Sequence, residues 1–466
     1  MRRIFLFVLL AVLLLPASVQ CNRAGIVEGF YGRPWTHAER LDMMQFMHDN
    51  GLSVYVYAPK DDVYHRSRWR DPYPAEQMGR LNELSRRAAE LGIDFVYAVS
   101  PGNDLAKMSM KNDIEAAVNK LEAMYGIGIK RFAVFFDDIK SKDAHEQAAF
   151  VHGVDENFVK RHNDIAPLII VPTEYYSACM DPDGYTGQIA SKLDKENIVL
   201  YTGKGVVCQS IDSKDLESVS KMYDRPVGIW WNYPANDYMQ EKLALGPIEG
   251  LPVRLDDVPL LLFNPMSAES LSKIAIGTGA KYVASPKTYD AERAFSETIS
   301  ERYGDIADEM RTFAVHSRLM HNEWADAGLQ DAPEMRAHID GVFRAAKSGD
   351  KVSAKLMLAR VRNDVTDMKH AADVLWNRLP ETDIAECYRQ LNYFEALADA
   401  DRKACDIIEY VIEGNDTSAK MNASSLSDMY NTLLMDKHAK MSEKTALSFL
   451  NETLYFMNDR GGAGKI

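Results

Sequence analysis

The sequence predicts a (β/α)8 barrel followed by an α-helical C-terminal domain, and three observations carry that expectation. Proline usage divides the chain, with fifteen prolines between residues 22 and 300 and only Pro333 and Pro380 beyond. The first part alternates short apolar runs with helix-patterned stretches, whereas the second is helical in pattern throughout. The apolar runs number eight and spread over roughly 280 residues, the size of a parallel eight-stranded barrel. The expected organisation is a leader over residues 1–21, a barrel over 22–300 and a helical domain over 301–466.

The strands are expected at Ala24–Glu28, Ser53–Ala58, Asp94–Val99, Arg131–Phe136, Leu168–Val171, Ile198–Tyr201, Val227–Trp231 and Leu260–Phe263. Most are nearly unbroken apolar runs, as strands buried on both faces require. After the first strand, Thr36-His37-Ala38-Glu39 has the form of a capping box and should open the first helix. Pro74–Leu91 reads as the second helix, closed by Gly92. Asp113–Tyr125 reads as the third. A doubly wound sheet is the alternative, but no GxGxxG or phosphate loop follows any strand, and the barrel is preferred.

The net charge of −14 argues against nucleic-acid binding, which needs a basic footprint. At the N-terminus, Arg2-Arg3 precedes twelve unbroken apolar residues from Ile4 to Leu15. A basic start before a short apolar core reads as a signal peptide, so the protein is expected to be exported: secreted, periplasmic or surface-anchored. Cleavage could fall at Val19-Gln20-Cys21, or Cys21 could be a lipidated first residue; membrane attachment is expected only in the second case. Cys179, Cys208, Cys387 and Cys405 show no CxxC spacing and no HExxH occurs, so neither metal nor cofactor is expected. Cys387 could pair with Cys405, or both could be free buried thiols.

The most informative stretch is Phe135-Phe136-Asp137-Asp138, where two adjacent carboxylates end a core strand. Two coupled carboxyls titrate as a unit, so one can stay protonated while the other is ionised. That is the equipment of a general acid beside an electrostatic stabiliser. An Asp-Asp pair can also be a loop in which one caps the next helix and the other faces solvent. The other strand ends weigh against that reading. They carry Gly29-Phe30-Tyr31-Gly32, Lys60-Asp61-Asp62, Thr173-Glu174-Tyr175, Thr202, Asn232 with Asp237, and Asn264. Acids, amides, hydroxyls, a lysine and aromatics at the carboxyl face of a barrel suit a sugar.

With these residues assembled, the chain resembles glycoside hydrolase family 84, the family of β-N-acetylglucosaminidases, O-GlcNAcases and enzymes first described as hyaluronidases. The matching motifs are Val27-Glu28-Gly29-Phe30-Tyr31-Gly32-Arg33-Pro34-Trp35, Tyr57-Ala58-Pro59-Lys60-Asp61-Asp62, Phe136-Asp137-Asp138-Ile139, Pro172-Thr173-Glu174-Tyr175, Trp230-Trp231-Asn232 with Asp237-Tyr238, and Asn264-Pro265. The resemblance implies hydrolysis of terminal β-linked GlcNAc with retention, the substrate's own 2-acetamido group acting as nucleophile through an oxazoline. It implies that Asp137 orients the acetamido N–H and that Asp138 is the acid and then the base. Tyr175 is implied near the acetamido oxygen. Lys60 and the Gly29 carbonyl are implied at sugar O3, although Lys60 could instead pair with Asp61 or Asp62. Thr202 and Trp230 match walls of the acetamido pocket, Asn232 a positioning amide, and Asp237 and Asn264 contacts to O4, O6 and neighbouring hydroxyls. Asn264 could equally be a turn residue before Pro265. The implied partner is a GlcNAc-containing glycan or glycoprotein. An endo-acting hyaluronan hydrolase and a catalytically silent sugar-binding protein are the competing functions.

Overall fold

The computed structural model describes residues 23–107 and 109–462. The expected leader, and Cys21 with it, lies outside the described residues. Eight strands pair in chain order, all parallel: β1 (Ala24–Glu28), β2 (Val54–Tyr57), β3 (Asp94–Val99), β4 (Arg131–Phe135), β5 (Ile169–Val171), β6 (Ile198–Tyr201), β7 (Gly228–Trp231) and β8 (Leu261–Phe263). β1 also pairs with β8, Gly25 opposite Leu262, which closes the barrel. Each strand lies within one residue, at either end, of the run expected for it.

Alternate side chains point to opposite faces of a strand. Val27, Val56, Ala98, Phe135 and Leu262 therefore pack inside the barrel, while Ile26, Tyr55, Tyr97, Phe132 and Phe263 pack outward under the helices. Both faces are buried, which is why the strands read as continuous apolar runs. Gly25 is needed where β1 meets β2, because a Cβ there would lie 1.7 Å from the Val54 carbonyl oxygen.

The barrel helices are α1 (His37–Asp49), α2 (Ala75–Glu90), α3 (Met110–Gly126), α4 (Ala144–Asn157), α5 (Tyr185–Ala190), α6 (Ser213–Tyr223) and α7 (Glu269–Ala284). The capping box of α1 is formed, with Thr36 accepting from the Glu39 N–H and Glu39 from the Thr36 N–H. Pro74 precedes α2, and Gly92 follows it with φ +69°. α3 starts earlier than the expected Asp113, because the Ser109 side chain accepts from the Asn112 N–H and caps it there. The expectation of eight βα units is corrected at one place. No described helix joins β7 to β8; residues 232–260 form a long loop that contains Pro234, Pro247, Pro252 and Pro259. Proline removes the N–H that a helix interior needs.

The rest of the chain is α8 (Ala291–Tyr303), α9 (Ala307–Val315), the short antiparallel pair β9 (Met320–His321) and β10 (Asp326–Ala327), then α10 (Pro333–Ser348), α11 (Lys351–Arg378), α12 (Glu381–Glu413), α13 (Asp416–Met435) and α14 (Ala446–Gly462). α8 runs through residue 300. The helices dock on the barrel through polar contacts. Glu386 accepts from the N–H groups of Ser270 and Leu271 at the start of α7, where the helix dipole favours an anion. Asp383 accepts from the hydroxyls of Ser270 and Tyr303. The same region fastens the β7–β8 loop: Lys242 pairs with Glu443, and the Leu245 N–H donates to the Ser317 carbonyl. Cys387 and Cys405 are both buried on α12 and both free, as are Cys179 and Cys208. No described helix is long and apolar enough to cross a membrane.

Candidate active site

The strand ends converge on a cavity of about 390 Å³, lined by all ten residues singled out above: Gly29, Lys60, Asp137, Asp138, Tyr175, Thr202, Trp230, Asn232, Asp237 and Asn264. Not every polar residue at a strand end reaches it. Glu174 is buried behind the cavity, accepting from the Thr186 hydroxyl and the Asp181 N–H. Asp61 accepts from the Gly32 N–H, and Asp62 from the hydroxyls of Tyr57 and Tyr73.

The floor is wired internally. Lys60 is buried and its ammonium pairs with Asp137, not with Asp61 or Asp62; it lies 4.0 Å from Asp138 Oδ2. Burial alone would raise the Asp137 carboxyl, but the Lys60 ammonium overrides it and holds the group below the usual Asp range. Asp137 is thus held ionised. Its Oδ1 is buried with no hydrogen-bond partner among the described residues. Trp230 donates its indole N–H to Asn232 Oδ1 at 2.7 Å, and Asn264 Nδ2 donates to the same oxygen at 2.9 Å. Asn264 Oδ1 accepts from the Gly29 N–H at 3.2 Å. Asn264 therefore braces the ends of three neighbouring strands, β7, β8 and β1, and is more than a turn residue. Gly29 admits the indole, since a Cβ there would lie 2.6 Å from the Trp230 ring. The Thr202 hydroxyl donates to the Gly205 carbonyl at 3.0 Å.

The rim is built differently. Asp138 is exposed and takes φ +55°, a left-handed conformation that Asp tolerates better than most residues. Tyr175 donates its hydroxyl to Asp138 Oδ1 at 2.7 Å, and Tyr31 donates to Oδ2 at 2.9 Å. Burial, and then the Asp138 charge, push the Tyr175 phenol up, so it stays a donor at any ordinary pH. Asp237 accepts from the Tyr31 backbone N–H at 2.8 Å, and burial raises its carboxyl.

Several lining residues escaped the sequence reading. Tyr31 sits inside a quoted motif but was given no role. Tyr238 and Trp324 meet in a tilted contact, 5.0 Å between ring centroids and 53° between planes, and Trp324 comes from the β9–β10 turn beyond the barrel. His65, which the sequence leaves without a role, is buried beside the site. Burial drives its imidazole down to about 4, so it is neutral, with Nδ1 at 2.8 Å from the Ala98 carbonyl. Asp256-Asp257, another Asp-Asp pair, is an exposed turn. Among the described residues no cluster of His, Cys, Asp or Glu is arranged to hold a metal ion.

A carboxylate held ionised on the floor, a second within reach of solvent, and a closed set of amides and aromatics can bind an acylamino sugar and transfer a proton to its glycosidic oxygen. Comparison with known proteins agrees. The family profile for beta-N-acetylglucosaminidase matches residues 24–315, and one described as hyaluronidase post-catalytic domain-like matches 334–450. The protein O-GlcNAcases of Mus musculus and Rattus norvegicus are each 34% identical over 275 residues, covering 56% of this chain. The match spans only 30% of the length of those relatives. Among solved structures, CpGH84B superposes with a TM-score of 0.86 at 32% identity, over 93% of this chain and 77% of that one. A mutant of the Thermobaculum terrenum O-GlcNAc hydrolase gives 0.84 at 26% identity, over 95% of this chain and 97% of that one. The chain belongs to the β-N-acetylglucosaminidase family, glycoside hydrolase family 84.

Proposed function

We propose that the protein is a retaining, O-GlcNAcase-like β-N-acetylglucosaminidase that releases terminal β-linked GlcNAc by substrate-assisted catalysis. The observation that carries this reading is the contrast within the acid pair: Asp137 ionised on the floor with one unpartnered oxygen, Asp138 exposed and bound by two tyrosines. A buried carboxylate oxygen without a donor costs free energy, and an acetamido N–H is the donor that would fill it. With that N–H held, the acetamido oxygen attacks the anomeric carbon while Asp138 gives its proton to the departing oxygen. The C1–oxygen bond to the aglycone breaks as the oxazoline ring closes. Water then adds at C1, giving its proton to Asp138, and the ring reopens. The two displacements together retain configuration.

Positive charge develops on the acetamido group, and a fixed anion beside it favours the transition state over the ground state. Asp237, tied to the Tyr31 backbone, lines the cavity, and its implied contacts to O4 and O6 support recognition of a terminal sugar over an endo-acting mode on hyaluronan. The leader-like residues 1–21 support export, with membrane attachment only if Cys21 is lipidated; the mass of the mature N-terminus tests this directly.

The mechanism is tested by pairing substrates. An aryl β-GlcNAc should turn over, and the matched aryl β-glucoside, lacking the acetamido group, should be inert. A thiazoline mimic of the cyclised intermediate should bind far more tightly than GlcNAc and lose affinity in Asp137→Ala and Tyr175→Phe. Efficient glucoside hydrolysis, or a covalent glycosyl ester on an Asp, would overturn the reading.

A further inference from the structure

The β2–α2 loop sends one guanidinium to the rim of the cavity, and its contacts are unusual for an arginine in an acidic protein. Arg66 Nη1 donates to the Tyr31 hydroxyl at 2.7 Å, and Nη2 lies 3.3 Å from the Asp138 carbonyl oxygen. Its charge also sits 5.4 Å from the centre of the Tyr31 ring. These partners are a hydroxyl and a carbonyl, not a carboxylate side chain.

A guanidinium has only donors, and a phenol has one proton to give. Because Tyr31 Oη accepts from Arg66, its own proton is left for Asp138 Oδ2 at 2.9 Å. Arg66 therefore fixes the polarity of a relay that ends on the carboxyl proposed to carry the proton. Its second contact falls on the carbonyl of Asp138 itself, whose backbone is held at φ +55° in the left-handed region.

The loop is built to deliver that side chain rigidly. The N–H groups of His65 and Arg66 both donate to the Asp62 carbonyl, and the His65 carbonyl accepts from Ser100 at the end of β3. His65 is itself pinned to Ala98, and Lys120 holds the Tyr64 carbonyl. The guanidinium is thus anchored to two strand ends, while Tyr31 and Asp138 arrive on two others.

We propose that Arg66 is a positioning residue that sets the geometry of Asp138, partly through the Tyr31 hydroxyl and partly through the Asp138 carbonyl. This rests on the reading of Asp138 as the general acid. The test uses the full chain with Arg66→Gln, Arg66→Lys, Tyr31→Phe and the double variant Arg66→Gln/Tyr31→Phe, alongside Asp138→Asn. kcat/KM is measured over aryl β-GlcNAc substrates from a dinitrophenyl leaving group to an unsubstituted phenol.

Arg66→Gln should lose about tenfold to 100-fold with the poorest leaving group and little with the best, because a misplaced acid matters only where protonation does. The loss should fall on kcat, with KM little changed. Arg66→Lys, which can reach one of the two partners, should recover part of it. The double variant should lose less than the product of the two single losses. Tyr31→Phe, at a residue 40% exposed, provides the second reading should Arg66→Gln fold poorly. A uniform loss across the series, a loss confined to KM, or fully multiplicative losses would each overturn the inference. If Asp138→Asn shows no leaving-group dependence, the acid assignment fails; if it does and Arg66→Gln does not, only the role of Arg66 fails.

Discussion

Asp137 and Asp138 are neighbours in the chain, yet the two regions that receive them follow different rules. The floor encloses Asp137 at 5% exposure and pairs it with a lysine that is itself buried. The rim leaves the Asp138 side chain 36% exposed and binds it through phenol hydroxyls, with the Lys60 ammonium at 4.0 Å. A permanent charge in low dielectric is held by an opposite charge, because desolvation must be offset. A group that gives up and regains a proton needs partners that tolerate both states, which hydroxyls do and an ammonium in contact does not. The difference teaches that adjacent identical side chains acquire separate chemistry from the end of the strand onward: β4 runs to Phe135, Asp137 turns into the barrel, and the positive φ of Asp138 turns its carboxylate out.

The comparison breaks first if the two carboxylates respond alike. Asp138→Asn should lose roughly 10²–10⁴-fold on a substrate with a poor leaving group and far less on an activated aryl glycoside. Asp137→Asn should lose roughly 10²–10³-fold on both, because the acetamido step is common to all substrates. Steady-state kinetics on the two substrates, for both variants, decide it. Near-normal turnover in Asp137→Asn would remove the floor from the chemistry.

A smaller effect sharpens the electrostatic half of the comparison. In Lys60→Met the carboxyl of Asp137 keeps its burial and loses the cation that offsets it, so it should titrate higher, by about one to three pH units. The acid limb of residual kcat/KM should move up with it. The stability linkage changes sign as well. With Lys60 present, the depressed carboxyl contributes stability above the ordinary Asp range, and that contribution is lost as pH falls through its depressed value. In Lys60→Met the raised carboxyl instead weakens the fold at neutral pH, and the penalty fades as pH falls. The thermal midpoint at pH 7 should therefore fall relative to that at pH 4.5 in the variant compared with the parent; an unchanged difference would mean that Asp137 is not governed by Lys60.

Much of this was legible in the chain because barrel strands are short and buried on both faces, so the run itself marks the strand and the residue after it marks the site. Asp137, Thr202, Asn232 and Asn264 each follow a strand by one or two positions. The missing helix between β7 and β8 was written in four prolines, but counting eight units hid it. Arg66 was not legible: it sits in a loop with Arg68 and Arg70, and nothing local distinguishes the one that turns toward Asp138. Nor was the Lys60–Asp137 pair, which joins residues 77 positions apart only once the barrel has closed.

Trp324 lies furthest from any sequence signal and should give the smallest effect. It reaches the cavity from the turn between β9 and β10, 61 positions after β8 ends at Phe263, and is 56% exposed. Its ring contacts that of Tyr238, the residue that follows Asp237, and it has no described contact with either acid. A half-solvated aromatic contact is worth roughly 0.5–1.5 kcal/mol. Trp324→Ala should accordingly raise KM for an aryl β-GlcNAc by only a few-fold, with kcat nearly unchanged and no dependence on the leaving group. Because Trp324 belongs to the part of the chain that also fastens the β7–β8 loop, the alternative outcome is informative. A fall in kcat equal on all substrates would mean that the helical region sets the geometry of the floor through Asp237 and Asn232, and that the division between floor and rim extends beyond the barrel.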